Sequence, residues 1–379
     1  MLLVLQLALG QPVGAQVRLA LTARVDTTRL VVRQVFGLLG NYFNARPDSL
    51  YANPYWNAAE VATYVGEHHE RADLAAPFLF SGMSARETFA TFPPTVLSIE
   101  PAGARYVARV LLAAAGTSPA WVAQTHWNPP FILRYYAAPD AAGAWKLENC
   151  WPHETARWSN FPTAWVRFHY PPGFAFDTIQ ARQASAFCDS VVAALHLTQA
   201  RPFDYYVMSS EEELGRLFNM DYWLAYNTGF TQKAYNRTLS GRSRVQHRHE
   251  FVHMLYPLLP NYFLAEGIAT YLGGVDGSTP YRQTLREVAT DLNQHHAQVR
   301  YRDLYDSKFR YPTNANPRYV AAALAYELVQ RRGGVAAFRQ LEQSENTYES
   351  FLQHFAAVLH LSPAKAEAYL NQQLRAAGK

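Results

Sequence analysis

The segment His249-Glu250-Phe251-Val252-His253, with Asn261-Tyr262-Phe263-Leu264-Ala265-Glu266-Gly267-Ile268-Ala269-Thr270-Tyr271 a few residues on, decides how the chain folds around it. Residues four apart share one face of a helix. A helix over Arg244–Tyr256, stopped by Pro257, therefore points the imidazoles of His249 and His253 at one place. Glu250 follows His249 by one position and sits at the rim of that face. There it can hold a metal-bound water rather than the metal itself. A catalytic zinc needs a third protein ligand and one open position. Glu266 comes thirteen residues after His253, beyond Pro257 and Pro260. Asn261 is placed to cap a second helix that carries it. Packed antiparallel to the first helix, this one brings Glu266 opposite the histidines, and Gly267, having no side chain, lets the two approach closely. Two imidazoles and a carboxylate suit one Zn²⁺ ion.

This pairing of HEFVH with a Leu-Ala-Glu-Gly-Ile-Ala-Thr-Tyr segment resembles the gluzincin zinc metallopeptidases, the peptidase MA-like group with aminopeptidase N-like catalytic domains. The resemblance covers about residues 161–334. It implies that His249, His253 and Glu266 bind zinc and that Glu250 is the general base. It also implies a tyrosine at the start of a later helix that donates to the tetrahedral intermediate, a role that falls on Tyr319 in Asn316-Pro317-Arg318-Tyr319. The expected function is zinc-dependent hydrolysis of a peptide or protein. Two departures stand out. The acidic pair of the amine-binding strand is missing from Thr228-Gly229-Phe230-Thr231-Gln232-Lys233, which argues against aminopeptidase specificity. Thr270 and Gly273 stand where a carboxylate would orient a zinc histidine, so the outer partner of the histidines is unassigned. The rival reading is a non-catalytic scaffold or binding protein with a structural zinc. The presence of Glu250 counts against it, since a structural site has no use for a base beside its metal.

Outward from the motif, residues 161–274 read as a small α/β region. Strand patterns cover Ala164–Tyr170 and Phe203–Met208, with a helix over Phe176–Leu197 between them. Glu211–Phe218 reads as a helix, and Tyr226–Leu239 as an edge strand or hairpin. His247 should face away from the metal. From Thr279 on, residues 275–379 follow a helical pattern. Towards the N-terminus, residues 16–160 give helices over Asp26–Asn44 and Ala58–His68. Short strands follow at Val96–Ile99, Tyr106–Leu112, Phe131–Ala137 and Trp145–Cys150, separated by turn residues. Helices followed by strands predict an α+β chain: an N-terminal helix-plus-antiparallel-sheet domain, the metal domain with a small mixed sheet, and a helical C-terminal subdomain. Ser159–Pro162 marks the boundary between the first two.

The chain has 379 residues, 49% hydrophobic and 17% charged, with a formal net charge of +4. Its basic residues are scattered, which excludes the clustered footprint of a nucleic-acid binder. Leu2–Leu9 followed by Gly10, Pro12 and Val13-Gly14-Ala15 matches a secretory leader over residues 1–15 and predicts an exported protein. No other stretch is long and apolar enough to span a membrane. Cys150 and Cys188 can pair in an oxidising compartment. Cys188 shares a helical face with Ala184, Val191 and Leu195, which favours simple packing.

Overall fold

Strand periodicity turns into two sheets. In chain order the strands are β1 (Ala20–Leu21), β2 (Pro94–Ala102), β3 (Arg105–Leu112), β4 (Phe131–Pro139), β5 (Trp145–Glu148), β6 (Ser159–Pro162), β7 (Val166–Tyr170), β8 (Phe203–Val207), β9 (Met220–Tyr222), β10 (Gly229–Gln232) and β11 (Arg237–Ser240). This is a computed structural model, and it describes residues 16–45, 53–80, 84–113, 130–223, 229–309 and 316–379. The leader-like residues 1–15 lie outside them. The chain is α+β, with two mixed sheets and a helical C-terminal region. It divides into two compact units, residues 1–156 with 212–226 and residues 157–211 with 227–379.

In the first unit, β2, β3, β4 and β5 pair antiparallel in sequence order. The expected antiparallel sheet gains a parallel edge from β1, a two-residue strand paired with β2. β9 and β5 share one side of β4, at its opposite ends. The helix Leu30–Asn44 buries Val32, Val35, Leu38, Leu39, Tyr42 and Phe43. It begins four residues later than periodicity predicts, because the Asp26 carboxylate accepts from the Thr28 amide and hydroxyl and holds a turn instead. Residues 212–226 belong here rather than with the metal unit that surrounds them in sequence. Phe218 and Trp223 pack their rings on Phe78 at 5.4 and 5.2 Å, and β9 completes the sheet.

The second unit opens with β6, where the sequence showed a boundary. Its sheet runs β10-β11-β8-β7-β6. β7, β8 and β11 are parallel to their neighbours in this run, while β6 and β10 are antiparallel edges. The crossover from β7 to β8 is the helix Thr178–Leu195, capped by Asp177 at its start and by His196 in the left-handed region at its end. Of the predicted edge strand or hairpin over Tyr226–Leu239, the described part from Gly229 on is a hairpin, with β10 outermost and β11 buried between β10 and β8. The remaining helices bury Val320–Ala325, Phe338, Phe351 and Phe355 in one core with the sheet. Cys150 and Cys188 are both buried thiols, not a disulfide. Among the described residues no helix is long and apolar enough to cross a membrane.

Candidate metal centre

Three helices of the second unit build the site. The motif helix spans Arg248–Leu255, shorter at its start than the predicted Arg244–Tyr256. Ser243 takes a left-handed conformation, and the Arg244 carbonyl accepts the Tyr205 hydroxyl at 2.6 Å, so that segment is spent on loop contacts. The helix ends where expected: Tyr256, preceding Pro257, is extended. The glutamate helix spans Tyr262–Gly273, with the Asn261 side chain accepting from the Leu264 amide as its cap. The tyrosine helix begins at Pro317 behind the Asn316 cap and runs to Leu341, with a break at Gly333-Gly334.

His249, His253 and Glu266 converge. The Nε2 of His249 lies 3.1 Å from Glu266 Oε2 and 3.2 Å from the Nε2 of His253. His253 Nε2 lies 3.6 Å from the same carboxylate oxygen. The three ligand atoms all fall within 4.8 Å of one another. The other nitrogen of His249, Nδ1, lies 3.0 Å from the Gly274 carbonyl. That backbone acceptor is the partner that sequence left unassigned. It requires Nδ1 to donate, which leaves Nε2 of a neutral ring as a lone pair facing a carboxylate. Two acceptors at that distance need a cation between or beside them, either a proton on the ring or a metal ion. Burial opposes a charged His249, but Glu266, Glu250 and the Gly274 carbonyl together raise its pKa. Burial likewise opposes ionised Glu266, yet the hydrogen bonds of His249 and His253 hold its carboxyl far below the usual range. The donor set of two imidazoles and a carboxylate fits zinc.

Close packing fixes this arrangement, though not through the glycine expected. A Cβ on Gly267 would meet Ala322 at 2.7 Å, so Gly267 seats the glutamate helix on the tyrosine helix. Gly273 makes the contact with the motif helix. A Cβ there would fall 2.5 Å from the His249 amide nitrogen and 2.6 Å from the Arg248 carbonyl carbon.

Around the cluster stand further side chains. Glu250 receives the Thr231 hydroxyl on Oε2 at 2.8 Å. The Tyr319 ring stacks over His249 with centroids 6.0 Å apart, and its hydroxyl is 2.9 Å from that of Tyr262. Burial, then the charge of Glu266, raises the Tyr319 pKa and keeps it a neutral donor. His247 is buried between Gly229 and Gly277, outside the ligand cluster, and burial pushes its imidazole down to about 4. Thr231 and Tyr262 escaped sequence reading. Neither belongs to the motif, and both reach it only through the fold. A cavity of about 540 Å³ adjoins the C-terminal end of the motif helix, lined in part by Lys233, Arg201 and Arg339; none of the three ligand residues lines it. Neither a scan against protein-family models nor a search of curated proteins finds a match to this chain.

Proposed function

We propose that the second unit is the catalytic domain of an exported zinc-dependent peptidase of the gluzincin type. The observation that carries this reading is the convergence of His249, His253 and Glu266 beside a second, separately anchored carboxylate, Glu250. His249 Nε2, His253 Nε2 and Glu266 would hold the ion, which when bound acts as a Lewis acid on the scissile carbonyl. The chain's own groups supply the rest. Glu250 takes the proton of the attacking water and returns it to the leaving nitrogen. Tyr319, kept protonated, donates to the oxyanion. The Gly274 carbonyl fixes the His249 ring and its tautomer. Export is supported by the leader-like first fifteen residues, and a peptide or protein substrate by the gluzincin-like motif.

Cleavage mapping on a peptide mixture, with wild type and Glu250→Gln side by side, tests the proposal. The variant should keep stoichiometric zinc and wild-type melting while losing about 10²- to 10⁴-fold in kcat. Full activity in the variant overturns the role of Glu250. Zinc-loaded wild type that cleaves no peptide overturns the peptidase reading and leaves the metal a structural part.

A further inference from the structure

Among the described residues, Glu250 is tied down at one side-chain oxygen, Oε2. The Thr231 hydroxyl lies 2.8 Å from Glu250 Oε2, 3.3 Å from the Glu250 carbonyl and 3.2 Å from the Thr238 hydroxyl. A threonine has a single hydroxyl proton to give. Thr238 lies 3.1 Å from the Phe230 carbonyl, a natural acceptor for its own proton. The Thr231 proton goes to its nearest acceptor, the Glu250 carboxylate. No hydrogen-bond partner meets Glu250 Oε1 among the described residues. One oxygen is thus anchored while the other is left to exchange a proton. Thr231 sits on β10, the edge of the second sheet, in register with Thr238 of β11. Side chains alternate along a strand, so Thr231 faces the motif helix while its neighbours Phe230 and Gln232 point the other way.

We infer that Thr231 is a positioning residue for the base, fixing the Glu250 carboxylate in the orientation that proton transfer requires. The inference rests on the peptidase reading for its kinetic consequence, but the orientation itself is a property of the chain. A glutamate has three rotatable side-chain bonds, and one charge-assisted hydrogen bond selects among its rotamers. Because the Thr231 hydroxyl meets Glu250 and Thr238 but none of His249, His253 and Glu266, its loss lowers kcat and leaves substrate binding and the ligand cluster intact.

The test compares Thr231→Val, which keeps the branched shape and the strand preference, with Thr231→Ser, which keeps the hydroxyl. Thr231→Val should lose roughly ten- to hundredfold in kcat with KM unchanged. Thr231→Ser should stay near wild type, and zinc content and melting should match wild type in both. Wild-type kcat in Thr231→Val, or equal losses in the two variants, overturns the inference, since the hydroxyl would then do nothing that packing does not. If wild type cleaves no peptide, the peptidase reading fails on its own. Crystal structures of wild type and Thr231→Val then decide the matter. A displaced Glu250 carboxylate supports the positioning role, and an unmoved one overturns it.

Discussion

Each unit buries a cluster of polar side chains, and the two clusters are built on opposite principles. In the first unit Asp73 is surrounded by donors. Tyr42 and Tyr135 donate to Oδ2 at 2.5 and 2.8 Å, and Asn219 and the Ala75 amide to Oδ1, both at 2.9 Å. Asn149 continues the network, accepting from Leu74 and Asn219 and donating to Glu60 and the Ala72 carbonyl. Every acceptor site of Asp73 is used, and each donor finds an acceptor. In the second unit His249, His253 and Glu266 bring three electron-pair donors together, and the contact of His249 Nε2 with Glu266 closes only with a cation, a proton or a metal ion. Burial is similar, with Asp73 4% and Glu266 8% exposed, so burial does not tell the two apart. Completeness does. A network complete in its own donors and acceptors holds its fold together, whereas one short of a cation has room for a metal ion.

The sharpest way to break the contrast is at the ligands. His249→Ala, His253→Ala or Glu266→Ala should abolish stoichiometric zinc binding, read by calorimetry and metal analysis. In wild type, free zinc at 1,000 times its dissociation constant should raise stability by about 4 kcal/mol, and the variants should show no such gain. A wild-type chain that takes up no zinc removes the distinction drawn here. The matching change in the first unit is Asp73→Ala. It takes their acceptor from the Tyr42 and Tyr135 hydroxyls and from one N–H of the Asn219 amide, whose other N–H keeps Asn149, and should cost ~3–5 kcal/mol, read by denaturant unfolding. Zinc stoichiometry of the folded protein should not change. Adding Tyr42→Phe and Tyr135→Phe to that variant should recover part of the loss, because donors without acceptors are what makes it expensive. No recovery would mean that the cost is a cavity and not a broken network.

The three converging residues were legible in sequence, and their supports were not, for a physical reason. Helical spacing places His249 and His253 on one face whatever the rest of the chain does, and Asn261 after Pro260 announces a second helix. The α+β class followed in the same way from local periodicity. Thr231 meets Glu250 across a strand-to-helix packing that no local pattern encodes, and the Gly274 carbonyl is a backbone atom that every residue type offers. Glycine is legible as a place of close approach but not as an address. The sequence points to Gly267 as the seat of the motif helix, whereas Gly273 holds that place. The division of the chain was harder still. Residues 212–226 return to the first unit through Phe218, Asn219 and Trp223, which look like ordinary core residues until their partners are known.

Gly273 offers a smaller perturbation that separates support from ligand. Gly273→Ala sets a methyl against backbone at the start of the motif helix, where no flexible side chain can yield. It should cost ~1–3 kcal/mol. If the shift carries His249 with it, zinc affinity falls as well, by roughly ten- to a hundredfold. Gly267→Ala, pressing instead on Ala322, should destabilise the chain with less effect on zinc. Equal loss of zinc affinity in the two would show that the ligands sense helix packing generally and not this one contact.

The smallest effect concerns a charge that the first unit keeps fully partnered. Glu148 accepts from Asn57 at 2.9 Å and Arg105 at 3.0 Å, and meets His153 Nε2 at 3.1 Å. The His153 hydrogen bond outweighs burial and, with Arg105, lowers its carboxyl to about 2. A carboxyl lowered on folding stabilises the native state above its unfolded value of about 4.5, and that contribution drains away as pH falls towards 2. The first unit should therefore lose ~1–3 kcal/mol across this window, read as hydrogen exchange in residues 145–155 at stepped pH. Glu148→Gln should begin less stable at neutral pH and show a flatter acid slope. Unchanged slopes in the variant would place the acid sensitivity elsewhere, and would mean that a fully partnered carboxylate in this unit carries no more titratable stability than an exposed one.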